Sequence, residues 1–352
     1  MARIRSVATA LPPHRVTQAE ALAGCRRLWG DDPMLRVFET SGVETRYCAF
    51  PNEYYLDGRT FEQRNADWIE QATILGERAA RAALDAAGLR PRDVDHFYFA
   101  TTTGLATPSV DARLAQRMGM RADVVRNPLF GIGCAAGAAM IGRAASVRGR
   151  SLALSVELCA QTFRNRDRSP ENVVGAALFG DGAAAMVIDG GRRGPASPTC
   201  RSRGGRAGFA GQGPEILAAG SELLPGTEHV MGWDFRNDGL KLVLTKEVPR
   251  VIARKVLPAI DRFLAAQGVR RRDVRHFILH PGGTRVLRTY ASAFGLSEEQ
   301  LRPARESLRT TGNLSSAAVL FILAGIEAGR GDLGLVAAVG PGFAVEMALL
   351  RW

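Results

Sequence analysis

Three residues of this sequence pair a reactive side chain with a setting that could expose it. Cys134 lies in Phe130-Gly131-Ile132-Gly133-Cys134-Ala135-Ala136-Gly137-Ala138-Ala139, a glycine turn that runs into small residues. The pattern predicts a thiol at a helix N-terminus, where unsatisfied amides favour the thiolate and flanking glycines admit a ligand. Against this stands the ordinary role of a lone cysteine, a small buried hydrophobe. His280 ends the apolar run His276-Phe277-Ile278-Leu279 and precedes Pro281-Gly282-Gly283, so it is expected at a strand end facing a cleft. Asn313, in Thr310-Thr311-Gly312-Asn313-Leu314-Ser315-Ser316, fits either a helix N-cap or an amide donor to an oxyanion. Such a trio serves two chemistries. A cysteine hydrolase uses it as nucleophile, base and orienter; a carbon–carbon-forming acyl transferase loads the cysteine and steadies an enolate with the other two. The residue types alone do not choose.

The elements that must position these residues alternate between helix and strand. Spacing predicts helices over 65–87, 109–119, 134–148, 247–267, 284–294 and 313–329. Strands are predicted over 94–102, 151–158, 183–189, 274–280, 333–339 and 343–351. The Gly-, Arg-, Pro- and Ser-rich stretch Gly190–Gly213 reads as a connection. It divides the chain into 1–190, with the cysteine, and 191–352, with the histidine and asparagine. The two halves are related. Leu84–Phe97 recurs 180 positions later as Leu264–Phe277 with 9 of 14 residues identical, each copy a helix, a glycine stop, a basic loop and a strand. Gly133-Cys134 matches Gly312-Asn313, and Gly180-Asp181-Gly182 matches Gly340-Pro341-Gly342. His96 and His276 recur in both copies, which suits a structural role, whereas the counterpart of His280 is Ala100. A duplicated α/β unit places equivalent loops around one shared cleft, and chemistry belongs where the copies differ.

Composition narrows the classes. The 352 residues are 46% apolar and 23% charged, the balance of a globular chain, which excludes a disordered or fibrous one. No apolar run approaches the roughly 18 residues of a membrane span, and the N-terminus lacks a signal-peptide core. Five cysteines without framework spacing point to free thiols in a reducing cytoplasm. No HExxH, CxxC or phosphate-loop pattern asks for a metal or a bound cofactor. The net charge of +11 comes almost wholly from arginine, with lysine only at Lys241, Lys246 and Lys255. The arginines are scattered and not interleaved with aromatics, which argues against nucleic acid. A phosphorylated coenzyme or an acidic carrier protein suits this charge better.

With these residues in place, the sequence resembles the type III polyketide synthases, the chalcone-synthase-like branch of the thiolase superfamily, over nearly its whole length. The resemblance rests on Gly133–Gly137, Ala177–Ala185, His280–Gly283, Gly312–Ala317 and Val339–Phe343. Thr103–Ser109 and Thr227–Asp234 further resemble the bacterial alkylpyrone and alkylresorcinol synthases, which accept fatty acyl starters. It implies an α/β thiolase-like fold, a five-layered αβαβα duplication of two halves, working as a homodimer. The implied substrates are acyl-CoA and malonyl-CoA, with an acyl carrier protein as an alternative starter donor and no cofactor.

By motif, Cys134 is the acyl-accepting nucleophile, and His280 and Asn313 complete the triad; a Cys134–His280 ion pair is expected. Phe179 and Leu242 fall at two gatekeeping positions that are phenylalanine in the plant enzymes. Leu242 is therefore a departure that speaks against a plant-like chalcone or stilbene product. Thr162, Trp233 and Ser315 fall at pocket-shaping positions, and Gly340, Pro341 and Gly342 form the pocket loop. Arg36 and Lys246 match basic residues that contact coenzyme A, while Pro33 and Thr40 replace two others. Long-chain relatives place small residues at the positions of Thr103, Thr107 and Cys159, so an acyl tunnel is expected past them. A ketoacyl-ACP synthase shares the trio but continues its histidine differently. A non-catalytic basic binding protein is the alternative from another class.

Overall fold

The computed structural model describes residues 1–190 and 213–352; the predicted connection, apart from its two ends, lies outside the described residues. Nine strands form one sheet, whose C-terminal part runs His276–Leu279, Leu333–Gly340, Ala344–Arg351, Glu215–Leu223. The N-terminal part continues through Ala2–Ala10, Asp181–Gly190, Gly149–Leu158, His96–Ala100 and Val125–Leu129. The two parts meet at a narrow seam, where Ala2 and Arg3 pair with Ile216 and Glu215.

Both faces of the N-terminal half-sheet are covered, and the strand pleat sorts the side chains between them. Leu152, Leu154, Ala183, Ala185 and Val187 enter a core with Ala72, Leu75, Ala79 and Ala83 of the helix Phe61–Ala87. Their neighbours Ala153, Ala184, Met186 and Ile188 enter another core with Ala138, Met140 and Ile141 of the helix Ala136–Ala145. That helix and Ala318–Ala324 contact strands of both half-sheets. Helix Leu257–Ala265 packs on strand Ala344–Arg351. The result is helix, sheet, helix, sheet, helix, the thiolase-like fold of two similar halves. The repeat is visible in detail: Asp93 caps its turn by accepting from the Arg90 amide at 2.8 Å, and Asp273 does the same for Arg270 at 2.9 Å.

Several elements differ from the sequence expectation. The helix expected over 313–329 is a short 3-10 turn, Ser315–Ala317, followed by Ala318–Ala324. The helix expected over 134–148 likewise begins with a 3-10 turn and ends at Ala145. The polar helix Glu298–Thr311 was not expected, because it carries Pro303 and buries only Leu301, Ala304, Leu308 and Thr311. The first sixty residues also fold, with strands Ala2–Ala10, His14–Thr17 and Thr45–Cys48 and helix Gln18–Trp29. Among the described residues no helix is long and apolar enough to cross a membrane.

The central layer is thin because its residues are small. A Cβ on Gly137 would lie 2.2 Å from the Ser316 carbonyl oxygen of the opposite half. Gly137→Ala is therefore expected to cost about 1–3 kcal/mol through overpacking, read as a lowered thermal midpoint. An unchanged midpoint would show that the layer has slack.

Candidate active site

Cys134 rides on the 3-10 turn Gly133–Ala135, which runs directly into helix Ala136–Ala145. Gly133 has a φ of 56°, and a Cβ there would lie 2.4 Å from Pro341 Cδ. Only glycine allows this backbone and this approach. Gly340 is equally constrained, since its Cβ would lie 2.1 Å from the Ile132 carbonyl oxygen. Gly342 has a φ of 126° and completes the loop. Pro341 is thereby pressed against the turn that carries Cys134 and forms part of the cavity wall beside it.

His280 follows the strand His276–Leu279, and its amide donates to the Ala337 carbonyl at 3.0 Å. The side chain is buried, and its Nδ1 has no hydrogen-bond partner. Asn313 is anchored by its backbone, which donates to the Leu178 carbonyl at 2.8 Å and accepts from the Gly180 amide at 3.2 Å. These bonds form a one-residue β-bridge between Asn313 and Phe179. Asn313 Oδ1 accepts from the Ser315 amide at 2.8 Å, so the Nδ2 group is left as the donor. Ser315 takes a left-handed φ of 47°, rare for a non-glycine residue, and its hydroxyl lies 3.4 Å from Cys134 Sγ. Cys134, His280 and Asn313 line one cavity, with Thr103, Cys159, Phe179, Trp233, Leu242, Ser315 and Pro341 also in its wall.

Burial dominates the electrostatics of the site. It pushes the Cys134 thiol up to about 11, with the nearby Glu157 carboxylate adding to the rise and the Ser315 hydrogen bond opposing it. Burial pushes His280 down to about 4. No hydrogen bond joins the two residues in this geometry, and burial favours the neutral thiol and the neutral imidazole.

Glu157 is a site residue that sequence reasoning missed. It is fully buried on strand Gly149–Leu158, where its carboxylate accepts from the Thr102 amide at 3.0 Å and from the Ser316 hydroxyl. Thr102 in turn accepts from Trp233 Nε1 at 2.9 Å. Burial raises Glu157 to about 7 despite these bonds. The signal was available: one acid inside the apolar run Leu152–Leu158 has no reason to be there unless a network holds it.

Other expected positions divide. Trp233 and Leu242 are cross-strand partners in the hairpin of strands Met231–Arg236 and Gly239–Leu244. Thr103 is buried, its hydroxyl accepting from Trp68 Nε1 at 3.1 Å and the Leu158 amide at 3.0 Å. Thr162 donates to the Cys159 carbonyl at 2.7 Å and lines an adjoining cavity instead. Thr107 is exposed and is not in the wall of the cavity that holds Cys134. Arg36 and Lys246 are exposed. Among the described residues no cluster of His, Cys, Asp and Glu could hold a metal.

A thiolase-like duplication with a cysteine, a histidine and an asparagine on one cavity defines an acyl-condensing enzyme that works on thioesters. The sequence patterns of the N-terminal and C-terminal domains of chalcone and stilbene synthases match residues 2–192 and 215–352, and the chain belongs to this family of type III polyketide synthases. It is 42% identical to the 1,3,6,8-tetrahydroxynaphthalene synthase of Streptomyces peucetius subsp. caesius over 99% of this chain and 93% of that protein. A putative chalcone synthase of Bacillus subtilis (strain 168) is 32% identical over 100% of this chain and 99% of its own length. The crystal structure of the tetrahydroxynaphthalene synthase of Streptomyces coelicolor A3(2) superposes with a TM-score of 0.88, at 31% identity over 99% of both chains. The chain is thus a condensing enzyme acting on CoA thioesters, similar to bacterial synthases of aromatic products.

The Glu157 shift has a testable sign. Its folded pKa, about 7, lies above the ordinary 4.5, so between these values the folded state holds a proton that the unfolded state has lost. Stability from this group therefore falls as pH rises through that window. Glu157→Gln removes the dependence, so the variant should gain thermal stability relative to the parent on going from pH 5 to pH 8. A gap that stays constant with pH would mean that Glu157 is ionised throughout.

Proposed function

We propose that the chain loads an acyl starter on Cys134, extends it repeatedly with malonyl-CoA and closes the product to an aromatic ring in the same cavity. The convergence of Cys134, His280 and Asn313 on one apolar cavity, with the Asn313 amide donor uncommitted, carries this reading. Neutral His280 takes the Cys134 proton as sulfur attacks the starter thioester, CoA departs as its thiolate, and His280 keeps the proton. In malonyl-CoA the bond to the carboxylate then breaks and CO2 leaves. The electron pair remains as an enolate, whose oxygen accepts from Asn313 and His280. Its carbon attacks the acyl carbonyl, the bond to Cys134 sulfur breaks, and the longer β-ketoacyl-CoA reloads the cysteine for the next round. Arg36 and Lys246, exposed and without an acidic partner among the described residues, would meet the coenzyme phosphates or an acyl carrier protein donating the starter. Free Cys25, Cys48, Cys134 and Cys159 suit a reducing cytoplasm.

The names of the similar Streptomyces proteins favour a polyhydroxyaromatic product. A fatty acyl starter, giving an alkylpyrone or alkylresorcinol, is the second reading; Val174, Leu178, Leu242 and Val248 in the cavity wall favour it. Malonyl-CoA alone, then with hexanoyl- to lauroyl-CoA, should separate the two by mass spectrometry of products. Within either, Cys134→Ala should abolish acyl loading, and Asn313→Ala should slow malonyl decarboxylation by about 10²–10³. A Cys134→Ala protein that still makes product would end this mechanism.

We also infer a homodimer through the free edge of the sheet. Among the described residues strand Val125–Leu129 has no outer neighbour, and Val125 and the adjoining Phe130 are 50% and 47% exposed. Sedimentation at micromolar concentration should give a dimer that Val125→Lys weakens; monomer alone in the parent would count against it.

A further inference from the structure

The hairpin of strands Met231–Arg236 and Gly239–Leu244 stands apart from the nine-stranded sheet as a two-stranded sheet of its own. Its residues Met231, Trp233, Leu242 and Leu244 share one face, and all four lie in the wall of the cavity that holds Cys134. A hairpin alone is marginally stable in water, so contacts with the rest of the chain decide how closely this wall is held. Midway along it, Trp233 Nε1 donates to the Thr102 hydroxyl at 2.9 Å. The outer end is held by groups that the steps above do not use.

Arg236 pairs with Gly239, so Asn237 and Asp238 form a two-residue turn at the tip. The Asp238 carboxylate there meets Arg164 in a bidentate pair. Arg164 Nε donates to Oδ2 at 3.0 Å, and Nη2 donates to Oδ1 at 2.8 Å and to Oδ2 at 2.6 Å. The Asp238 carbonyl accepts from Arg64 of helix Phe61–Ala87, and a Cβ on Gly239 would lie 2.9 Å from Arg64 Nη2. Most surface ion pairs contribute little, because two long side chains must be ordered to make them. Here the ordering is already done by other contacts. Arg164 is 13% exposed, its amide and carbonyl bond the Asn172 side chain at 3.2 and 2.9 Å, and its Nη1 donates to Asp167. Burial alone would raise the Asp238 carboxyl, but the bonds and charge of Arg164 outweigh it and hold the group below its ordinary value. Arg164 also closely follows the turn Cys159–Thr162, whose Cys159 lines the Cys134 cavity. The pair therefore fastens one cavity-lining segment to another from outside.

We propose that Asp238 is a positioning residue, which through Arg164 and Arg64 clamps the hairpin so that the cavity wall stays fixed while the chain on Cys134 grows. With the clamp open the hairpin lifts, and the chain is released after fewer extensions. The proposal rests on the iterative extension proposed above.

The experiment compares full-length Asp238→Ala and Asp238→Glu with Arg236→Gln as a control. Arg236 lies on the same hairpin but among the described residues pairs only with Asp234 of its own strand. Hydrogen exchange read by mass spectrometry should show the amides of 231–244 opening about tenfold or more faster in Asp238→Ala. Strand Gly149–Leu158 should stay protected, the control should match the parent, and Asp238→Glu, which keeps the carboxylate, should restore most of the protection. With malonyl-CoA as extender, the ratio of longer products to triketide lactone should fall by about fivefold or more in Asp238→Ala, recover in Asp238→Glu and hold in the control. A variant that is merely less stable loses total turnover but keeps this ratio, because the ratio counts only active molecules. Unchanged exchange in Asp238→Ala would overturn the clamp. Faster exchange with an unchanged ratio would overturn the positioning role, as would an equal fall in Arg236→Gln. A parent protein that neither loads Cys134 nor releases CO2 would remove the iterative reading itself, whereas the exchange comparison needs no substrate and would still decide the clamp.

Discussion

Everything at the site depends on how closely the two halves approach each other, and four glycines set that distance. Gly133 lies against Pro341, Gly137 against Ser316, Gly180 against the Thr311 carbonyl and Gly312 against the Leu178 carbonyl. Each contact would place an added Cβ well inside van der Waals range of the opposite segment. With no side chains between them, the backbone that carries Cys134 and the backbone that carries Asn313 pack directly. The same closeness allows the bridge between Phe179 and Asn313, which ties two residues of the cavity wall together through two main-chain hydrogen bonds. Arg46 reinforces it from behind by holding the carbonyls at the end of helix Pro170–Leu178.

A consequence of this closeness is that His280, Asn313 and Ser315 are buried and Cys134 is only partly exposed. Burial favours the neutral thiol and imidazole and raises Glu157 to about 7. The Ser316 hydroxyl and the Thr102 amide keep the buried Glu157 carboxylate hydrogen-bonded, as an apolar interior demands.

The duplication also explains how one ancestral pattern yields an asymmetric site. The capped turns at Arg90 and Arg270 are nearly identical, because they only connect helix to strand. At equivalent loops the residues diverge: Cys134 stands where the other half has Asn313, and Ala100 where it has His280. Structural positions kept their chemistry and cleft-facing positions changed it.

Much of this was legible in the sequence. The repeat, the alternating elements and the three cleft residues follow from local chemistry: periodicity, glycine stops, and a polar residue where an apolar one would pack. Elements stabilised only by tertiary contact were not legible. Helix Glu298–Thr311 is polar with an internal proline, and the first sixty residues take their order from neighbours far along the chain, as when Arg46 binds Ala176 and Phe179. The placement of Glu157 beside Cys134, the exposure of Thr107 and the second cavity behind Phe179 depend on distances between segments remote in sequence. Residue types determine which reactions are available; burial and approach distance, which no linear spacing encodes, decide protonation and shape.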